Sequence, residues 1–176
     1  MILDFLQIAA NLKTVPRQGW IDKLLIKTPE SVADHSFLMA VMGMVLSDLE
    51  HYNTEKILKM IILHDLAESV IGDLTPEQKL KKEKKELENK TMLKILTILP
   101  NDLQDQYIIL WNEFQKNESS EAKFVHQIDK LEMSLQAKIY SKKINSTEKI
   151  QPFLESAKLE INHPYLLNLF KRISSQ

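Results

Sequence analysis

Residues 61–68 of the chain read Ile-Ile-Leu-His-Asp-Leu-Ala-Glu, an apolar run interrupted by a histidine and an acid. Placing His64 and Asp65 at the end of a buried helix costs free energy unless a partner satisfies both side chains. A divalent cation is such a partner, because imidazole nitrogens and carboxylate oxygens are common metal ligands. The stretch therefore predicts a buried helix that ends at a metal site.

Two further residues extend this pattern. His35 lies upstream in residues 31–36 (Ser-Val-Ala-Asp-His-Ser), and Asp129 lies downstream in residues 125–131 (Val-His-Gln-Ile-Asp-Lys-Leu). Each falls on its own helix by the periodicity of the apolar residues around it, so three helices would bring the ligands together. The predicted metal ligands are His35, His64, Asp65 and Asp129.

The mixed ligand set suits one divalent ion, with Mn, Co, Zn, Ni, Fe and Mg left open. Four protein ligands on an ion that can take six leave positions for water and a substrate oxygen, as a catalytic site requires. A lone buried histidine is more often a core residue that hydrogen-bonds to backbone than a ligand. That interpretation applies to His51, His126 and His163.

Composition indicates an all-α protein with one core. The 176 residues fit one domain, and 23 basic against 24 acidic residues give no field that favours a nucleic acid polymer or an anionic membrane. There is no cysteine, and strand-type alternation is absent. No run approaches the roughly 18 apolar residues that cross a bilayer, and no basic leader precedes the first acid, so we expect a cytoplasmic location.

Apolar residues recur at helical spacing along the chain, and turn residues separate the helices. The first helix spans about residues 2–12, and a loop from Pro16 to Pro29 follows it. The third helix is predicted to end near Ser69, before a break at Gly72. The predicted first or capping residues of the second to sixth helices are Ser31, Thr54, Thr75 (before Pro76), Asn101 and Ser119, and two short helices near Pro152 and Pro164 complete the chain.

Two of these helices have distinctive surfaces. Residues 79–90 (KLKKEKKELENK) interleave lysines with glutamates at three- and four-residue spacing. This mixture favours a solvated helix face over a basic patch that binds nucleic acid. The second helix has as its apolar stripe Phe37, Leu38, Val41, Met44 and Val45.

Two carboxylates near the ligand pair are candidates for catalysis. Glu68 follows His64 by four residues, so it is predicted on the same helix face, where it can orient or deprotonate the attacking water. Asp73 follows the Gly72 break and can turn back toward the same cavity. The alternatives are a salt bridge for Glu68 and a capping role for Asp73, but two carboxylates beside a metal site favour catalysis.

Arg17 and Trp20 are the candidates for substrate binding. The guanidinium of Arg17 offers a fork of donors that matches phosphate oxygens, and its position in a loop leaves it free to point inward. The alternative is an ordinary surface arginine. Trp20 can either stack on a nucleobase or anchor the loop to the core, and the sequence leaves both open.

Taken together, these stretches resemble the HD-domain 5′-deoxynucleotidases. The resemblance covers nearly the whole chain in the expected order. The residues that carry it are 12–20 (LKTVPRQGW), 30–35 (ESVADH), 64–68 (HDLAE) with 72–73 (GD), 121–125 (EAKFV), 127–133 (QIDKLEM) and 162–164 (NHP).

The resemblance implies a single HD domain over residues 1–176, with a metal-binding core at about 30–142, that usually forms a homodimer. It implies hydrolysis of nucleoside 5′-monophosphates, with a preference for deoxyribose, at one metal ion. On the matching positions the four ligands bind that ion, Arg17 contacts the phosphate, and Glu68 and Asp73 are catalytic. The alternatives are another phosphate ester, such as a cyclic nucleotide or an alarmone, and a non-catalytic interaction module that the metal stabilises.

One position departs from the family pattern. In a better-known bacterial branch, a tryptophan directly follows the phosphate arginine and helps to exclude a 2′-hydroxyl. Here Gln18 follows Arg17, and the indole comes at Trp20. We therefore expect the sugar to be recognised more weakly than the 5′-phosphate.

Overall fold

The computed structural model describes residues 2–75 and 81–175. Most of these residues are helical, and there is no strand among them. An isolated antiparallel bridge joins Pro16 and Ser31. The all-α prediction is confirmed. The α-helices are α1 (Ile2–Ala10), α2 (Gln18–Leu24), α3 (Val32–Leu49), α4 (Thr54–His64), α5 (Glu68–Ile71), α6 (Lys81–Leu96), α7 (Asn101–Lys116), α8 (Ser120–Ile144), α9 (Gln151–Glu160) and α10 (Pro164–Ser174), with 3₁₀ turns at Asn11–Thr14 and Glu148–Ile150.

Helix α8 is the central element, and α3, α4, α7, α9 and α10 pack around it. Its side chains Phe124, Ile128 and Leu131 are at most 2% exposed. Burying an apolar side chain of this size stabilises the fold by about 1.5–3 kcal/mol. Asp129 lies next to Ile128, so a helix fixed by its packing holds the most distant predicted ligand.

Side-chain caps set the starts of the helices that carry site residues. Ser31 caps α3: its hydroxyl accepts from the Asp34 N–H at 3.1 Å, and the Asp34 carboxylate accepts from the Ser31 N–H at 2.9 Å. This capping box confirms the predicted start and places His35 in the first turns of α3. For α4 the cap is Asn53, which accepts from the Lys56 N–H at 3.0 Å, so the choice of Thr54 was wrong by one residue.

The predicted third helix is in fact two helices. Helix α4 ends at His64, well before Ser69, and α5 begins at Glu68. The residues between them form turns in which the Glu68 N–H donates to the Asp65 carbonyl at 2.9 Å. Gly72 then ends α5 with a φ of 76°, a conformation that favours glycine.

The segment predicted as a loop from Pro16 to Pro29 contains helix α2. Its residues Trp20 and Leu24 are four positions apart and each 2% exposed, so one face of α2 is buried. The helix ends at Leu25, which has a left-handed φ of 57°. Arg17 is therefore the capping position of a helix, not part of a flexible loop.

The apolar stripe expected for the second helix lies on the outside of α3. Phe37 is 70% exposed and Val45 is 48% exposed. The buried face carries Val32, Met39 and Leu46 together with polar residues and Gly43. Gly43 lies against α4, where an added Cβ would be 2.3 Å from Ile61 Cδ1. Close packing at Gly43 thus decides which face of α3 turns inward. The solvent-facing apolar residues are Phe37, Val41, Met44, Val45 and Leu49.

This apolarity makes α3 long and hydrophobic enough to cross a membrane by length and composition, with a mean hydropathy of 1.3 over 18 residues. The expectation that no run approaches that length was wrong. In the fold, 39% of the helix is buried, and it packs against α4 and α8. The charged helix α6 is described from Lys81, so its predicted start at Pro76 lies outside the described residues.

Candidate active site

The four predicted ligands converge where α3, α4 and α8 meet. His35 Nε2 is 3.4 Å from Asp129 Oδ1 and 3.9 Å from Asp65 Oδ2. His64 Nε2 is 3.0 Å from the same Asp65 oxygen. One ligand atom from each of His35, His64 and Asp129 lies within 4.8 Å of the other two, close enough to share one ion.

Hydrogen bonds at the Nδ1 atoms hold the rings of His35 and His64 in place. His64 Nδ1 donates to the Ile61 carbonyl at 2.6 Å, and His35 Nδ1 lies 2.6 Å from Glu132 Oε2. With a proton on Nδ1 only, each ring can offer the lone pair of Nε2 to a metal ion. Both Nε2 atoms are buried and have no hydrogen-bond partner among the described residues. Two unpaired nitrogens facing two carboxylates fit a divalent cation.

Glu132 is a site residue that the sequence analysis missed. It is 0% exposed and holds His35 in place from the side opposite Asp65. It lies three residues after Asp129, so both carboxylates emerge on one face of α8. A glutamate three residues after the candidate ligand Asp129 was the signal available in the sequence.

Charge in the cluster favours a cation. Burial and the charge of Arg17 disfavour the protonated form of His35, yet the carboxylates of Asp129 and Glu132 outweigh both and raise the pKa of His35 to about 9. Burial favours the neutral form of Asp65, but His64, His35 and Arg17 hold its pKa well below the ordinary range. Ionised acids around the histidines therefore attract positive charge to this point.

Glu68 lies beside the cluster at the start of α5 and is 3% exposed. Because the chain breaks after His64, Glu68 is not on the same helix face as that ligand, and the turn at Asp65 brings it to the site instead. Burial, followed by the charges of Asp65 and Asp73, raises the pKa of Glu68 well above its ordinary range. A buried carboxyl whose pKa is raised holds its proton more readily than an exposed one, which suits general acid–base catalysis.

Asp73 has two different contacts. Its Oδ2 accepts from the Gln18 N–H at 2.8 Å, at the start of α2, so the capping alternative describes part of its role. Its Oδ1 faces the cavity, 4.0 Å from Lys84 Nζ. Asp73 therefore both caps a distant helix and contributes charge beside Glu68.

Arg17 points inward. Its Nη1 is 3.5 Å from Asp65 Oδ2, and its side chain is 16% exposed. The alternative of an ordinary surface arginine is wrong. Its backbone N–H donates to the Glu30 carbonyl at 3.0 Å, which ties the residue to the start of α3. The guanidinium is thus held at the edge of the ligand cluster.

Trp20 lies in the wall behind Arg17, where it is 2% exposed. Its indole N–H donates to Glu30 Oε1 at 2.8 Å. The ring packs against Phe153, at a centroid distance of 4.5 Å, and edge-on against Tyr140. These contacts favour the anchoring role over stacking on a base, although part of the residue lines the cavity.

A cavity of about 340 Å³ opens over the cluster. Ligand cavities generally start at about 300 Å³, so it is large enough for a small molecule. Arg17, the acids Asp65, Glu68, Asp73 and Asp129, and the apolar side chains of Met133 and Phe153 are among the residues that line it. The lining also includes three lysines that the sequence analysis did not single out, Lys23, Lys84 and Lys130.

The other histidines lie outside the ligand cluster. His126 stacks on Phe114 at a centroid distance of 4.2 Å and lies 3.1 Å from the Phe114 carbonyl, as a core residue does. His163 is within 3.6 Å of Glu50, away from the ligands. His51 is exposed at a φ of 60°, so its interpretation as a core residue was wrong.

Known proteins resemble this chain along nearly its whole length. A family model described as HD domain matches residues 9–165. The human protein named 5′-deoxynucleotidase HDDC2 is 37% identical over 176 residues, covering 99% of this chain and 85% of the human one. The Schizosaccharomyces pombe protein named 5′-deoxynucleotidase hdd1 is 38% identical over 168 residues, and the match covers 93% of this chain and 83% of the yeast one.

A solved structure also matches the fold. The crystal structure of the PH0347 protein from Pyrococcus horikoshii OT3 has a TM-score of 0.83 and 32% sequence identity, and the match covers 98% of both chains. The family resemblance that the motifs indicated is therefore confirmed, both by sequence identity along nearly the whole chain and by the similarity of the backbone fold.

Proposed function

The chain belongs to the HD-domain family, and we propose that it is a metal-dependent 5′-deoxynucleotidase, which hydrolyses nucleoside 5′-monophosphates to nucleoside and phosphate. One observation carries the proposal: Arg17 and two unpaired histidine nitrogens meet around Asp65, beside the buried carboxyl of Glu68. A purely structural metal site needs neither the arginine nor the extra acid. The names of the human and yeast relatives support the same substrate class.

The site residues form two groups, the metal ligands and the side chains that act on the substrate. A divalent ion held by His35, His64, Asp65 and Asp129 would supply Lewis-acid activation of water and neutralise phosphate charge. The identity of the ion stays a prediction within the set Mn, Co, Zn, Ni, Fe and Mg.

Hydrolysis is an in-line displacement at phosphorus, in which the water oxygen bonds to phosphorus and the bond to the 5′-oxygen breaks. Arg17 binds the phosphoryl oxygens, where charge develops in the transition state. Glu68 and Asp73 perform the proton transfers: the attacking water loses a proton, and the leaving 5′-oxygen gains one. The raised pKa of Glu68 suits this exchange, because the group can both accept and return a proton.

The sugar is recognised more weakly than the phosphate. The Gln18 side chain, which follows the phosphate arginine, donates to Asp22 Oδ1 at 2.7 Å and does not line the cavity. Met133 and Phe153 also line the cavity and offer apolar surface to the nucleoside of a substrate whose phosphate lies at Arg17. We expect deoxyribose to be preferred by shape.

A second copy of the chain covers the outer face of α3. This face, the exposed residues Phe37, Val41, Met44, Val45 and Leu49, is a continuous apolar stripe on one helix. Contiguous apolar surface of this kind marks interaction sites, and a stripe that packs on its own symmetry mate is self-complementary. The homodimer implied by the family resemblance supports this partner. Cytoplasmic location and the lack of nucleic acid and membrane partners stay predictions.

The test is phosphate release from a panel of nucleotides with added Mn, Co or Mg, with and without a chelator. Release from 5′-monophosphates that the chelator abolishes supports the proposal. Turnover restricted to cyclic nucleotides or alarmones would instead show that the protein is a phosphohydrolase for another phosphate ester. Metal binding that stabilises the fold without any turnover would identify a non-catalytic module.

A further inference from the structure

Lys84 is turned toward the catalytic acids, unlike its neighbours in the charge run. Its side chain is 26% exposed, whereas Lys82, on the same helix, is 90% exposed. The interpretation of residues 79–90 as a solvated face therefore fails at this position. The other lysines of α6 with described side chains are exposed, at positions 82, 85, 90 and 94.

The ammonium of Lys84 lies among three carboxylates. Its Nζ is 3.6 Å from Glu68 Oε1, 4.0 Å from Asp73 Oδ1 and 3.4 Å from Glu88 Oε1. These are ion-pair distances, longer than the 2.7–2.9 Å or so of a tight charge-assisted hydrogen bond. The ammonium therefore forms ion pairs with all three carboxylates and a tight hydrogen bond with none of them.

Glu68 requires such a partner whenever it is ionised. It is almost fully buried, its Oε2 has no hydrogen-bond partner in the described part of the chain, and two further acids, Asp65 and Asp73, lie nearby. A buried carboxylate beside like charges is costly unless a cation offsets them. Among the described residues, Lys84 is the cation within 4 Å of Glu68.

Glu88 holds the lysine from its own helix. It lies four residues further along α6, so the Lys84–Glu88 pair has the spacing of a helical ion pair. This contact keeps the ammonium beside the catalytic acids, while Arg17 approaches the cluster next to Asp65. The two cations thus contact different acids of the site.

We propose that Lys84 is a positioning residue for the hydrolysis, which orients the carboxylates of Glu68 and Asp73 and links helix α6 to the active site. The inference rests on the proposed function and adds to it a role for the charged helix. Lys84 acts through the two acids and does not bind the phosphate, which is the task of Arg17.

The experiment compares Lys84→Ala, Lys84→Arg and Lys82→Ala with the parent, each loaded with the same metal. For Lys84→Ala we expect kcat to fall by about 10-fold or more, because misplaced acids lose part of their contribution to proton transfer. KM for a deoxynucleoside 5′-monophosphate and the inhibition constant of inorganic phosphate should stay at the parent value, as should metal content. Lys84→Arg should recover part of kcat, and Lys82→Ala should match the parent.

Several results would overturn the inference. A parent-like kcat in Lys84→Ala would show that the acids do not need the lysine. A raised KM together with weaker inhibition by phosphate, as expected for Arg17→Ala, would make Lys84 a phosphate ligand. If Lys84→Ala does not fold, Lys84→Met keeps the aliphatic stem and takes its place in the comparison. A parent that releases no phosphate from any 5′-monophosphate would overturn the proposed function and this inference with it.

Discussion

The Oδ2 atom of Asp73 accepts a hydrogen bond from the backbone N–H of Gln18 at 2.8 Å. The two residues are 55 positions apart in the chain. Because Gln18 directly follows Arg17, this bond fixes the start of α2 and, with it, the backbone that carries the phosphate arginine. The proposed catalytic carboxylate and the proposed phosphate-binding residue are thereby held in one arrangement.

This bond separates two variants of Asp73. Asp73→Asn keeps an oxygen that accepts from Gln18 but removes the charge, whereas Asp73→Ala removes both. We expect Asp73→Ala to lose about 1 kcal/mol of unfolding free energy, the usual cost of a lost helix cap, and Asp73→Asn to lose much less. Both should lower kcat, but KM should rise only in Asp73→Ala, where Arg17 is released. Denaturant unfolding and steady-state kinetics test this, and equal effects of the two variants would contradict it.

The second prediction concerns the metal site. His64→Ala and Asp65→Ala should each remove both the bound metal and the activity, because each leaves too few ligands. Added metal should raise the melting temperature of the parent but not of these variants, since it binds only the folded site. His126→Ala is the control, because His126 stacks on Phe114 outside the cluster and its loss should leave metal content unchanged. Full metal occupancy in both ligand variants would refute the ligand assignment.

Glu68 should behave differently from the ligands. Glu68→Gln and Glu68→Ala should retain the metal yet lose about 10²-fold or more in rate, the usual contribution of a general acid–base group. Glu86→Gln serves as the control, because Glu86 is 70% exposed on α6. Elemental analysis and phosphate release measure the two quantities on one sample. Parent-like hydrolysis by Glu68→Ala would remove Glu68 from the mechanism.

The clustering of the candidate ligands and most helix starts were predictable because their signals are local. A capping residue acts within one turn, so Ser31 and Ser119 mark the starts of α3 and α8 in sequence as they do in the structure. His64 and Asp65 stand out as polar residues at the end of an apolar run. Such features need no knowledge of the tertiary arrangement.

The features that sequence analysis missed depend on distant contacts. Helix α2 is capped by Asp73, and Lys84 meets Glu68, which comes before it in the chain on another helix. A charge pattern within one helix cannot reveal acids on another. The prediction that the apolar stripe of α3 faces the core was wrong for a related reason. Apolar spacing identifies an apolar face, but close packing at Gly43 turns the opposite face of the helix toward the core.

The fourth prediction concerns the exposed apolar face of α3. Val41 lies in the middle of the stripe and is 39% exposed, so Val41→Glu should place a charge in the proposed dimer interface without disturbing the core. We expect sedimentation to change from a dimer to a monomer of 20.5 kDa, with an unchanged circular dichroism spectrum. Ile109→Glu, at an exposed position on α7, should leave the dimer intact. A parent that is itself monomeric at micromolar concentration would rule out the proposed partner.

The last prediction concerns substrate choice. Arg17 is held beside Asp65, so it should demand a terminal 5′-phosphate, whereas a 3′-phosphate would sit at the wrong end of the sugar. Rejection of one added hydroxyl by shape alone rarely exceeds about 10²-fold, and Gln18 does not line the cavity. We therefore expect deoxynucleoside 5′-monophosphates to be hydrolysed faster than the ribonucleotides, with measurable activity on both. Arg17→Ala should raise KM and lower kcat together, because one contact serves both the ground state and the transition state. Equal turnover of 5′- and 3′-monophosphates, unchanged in Arg17→Ala, would show that another group recognises the phosphate.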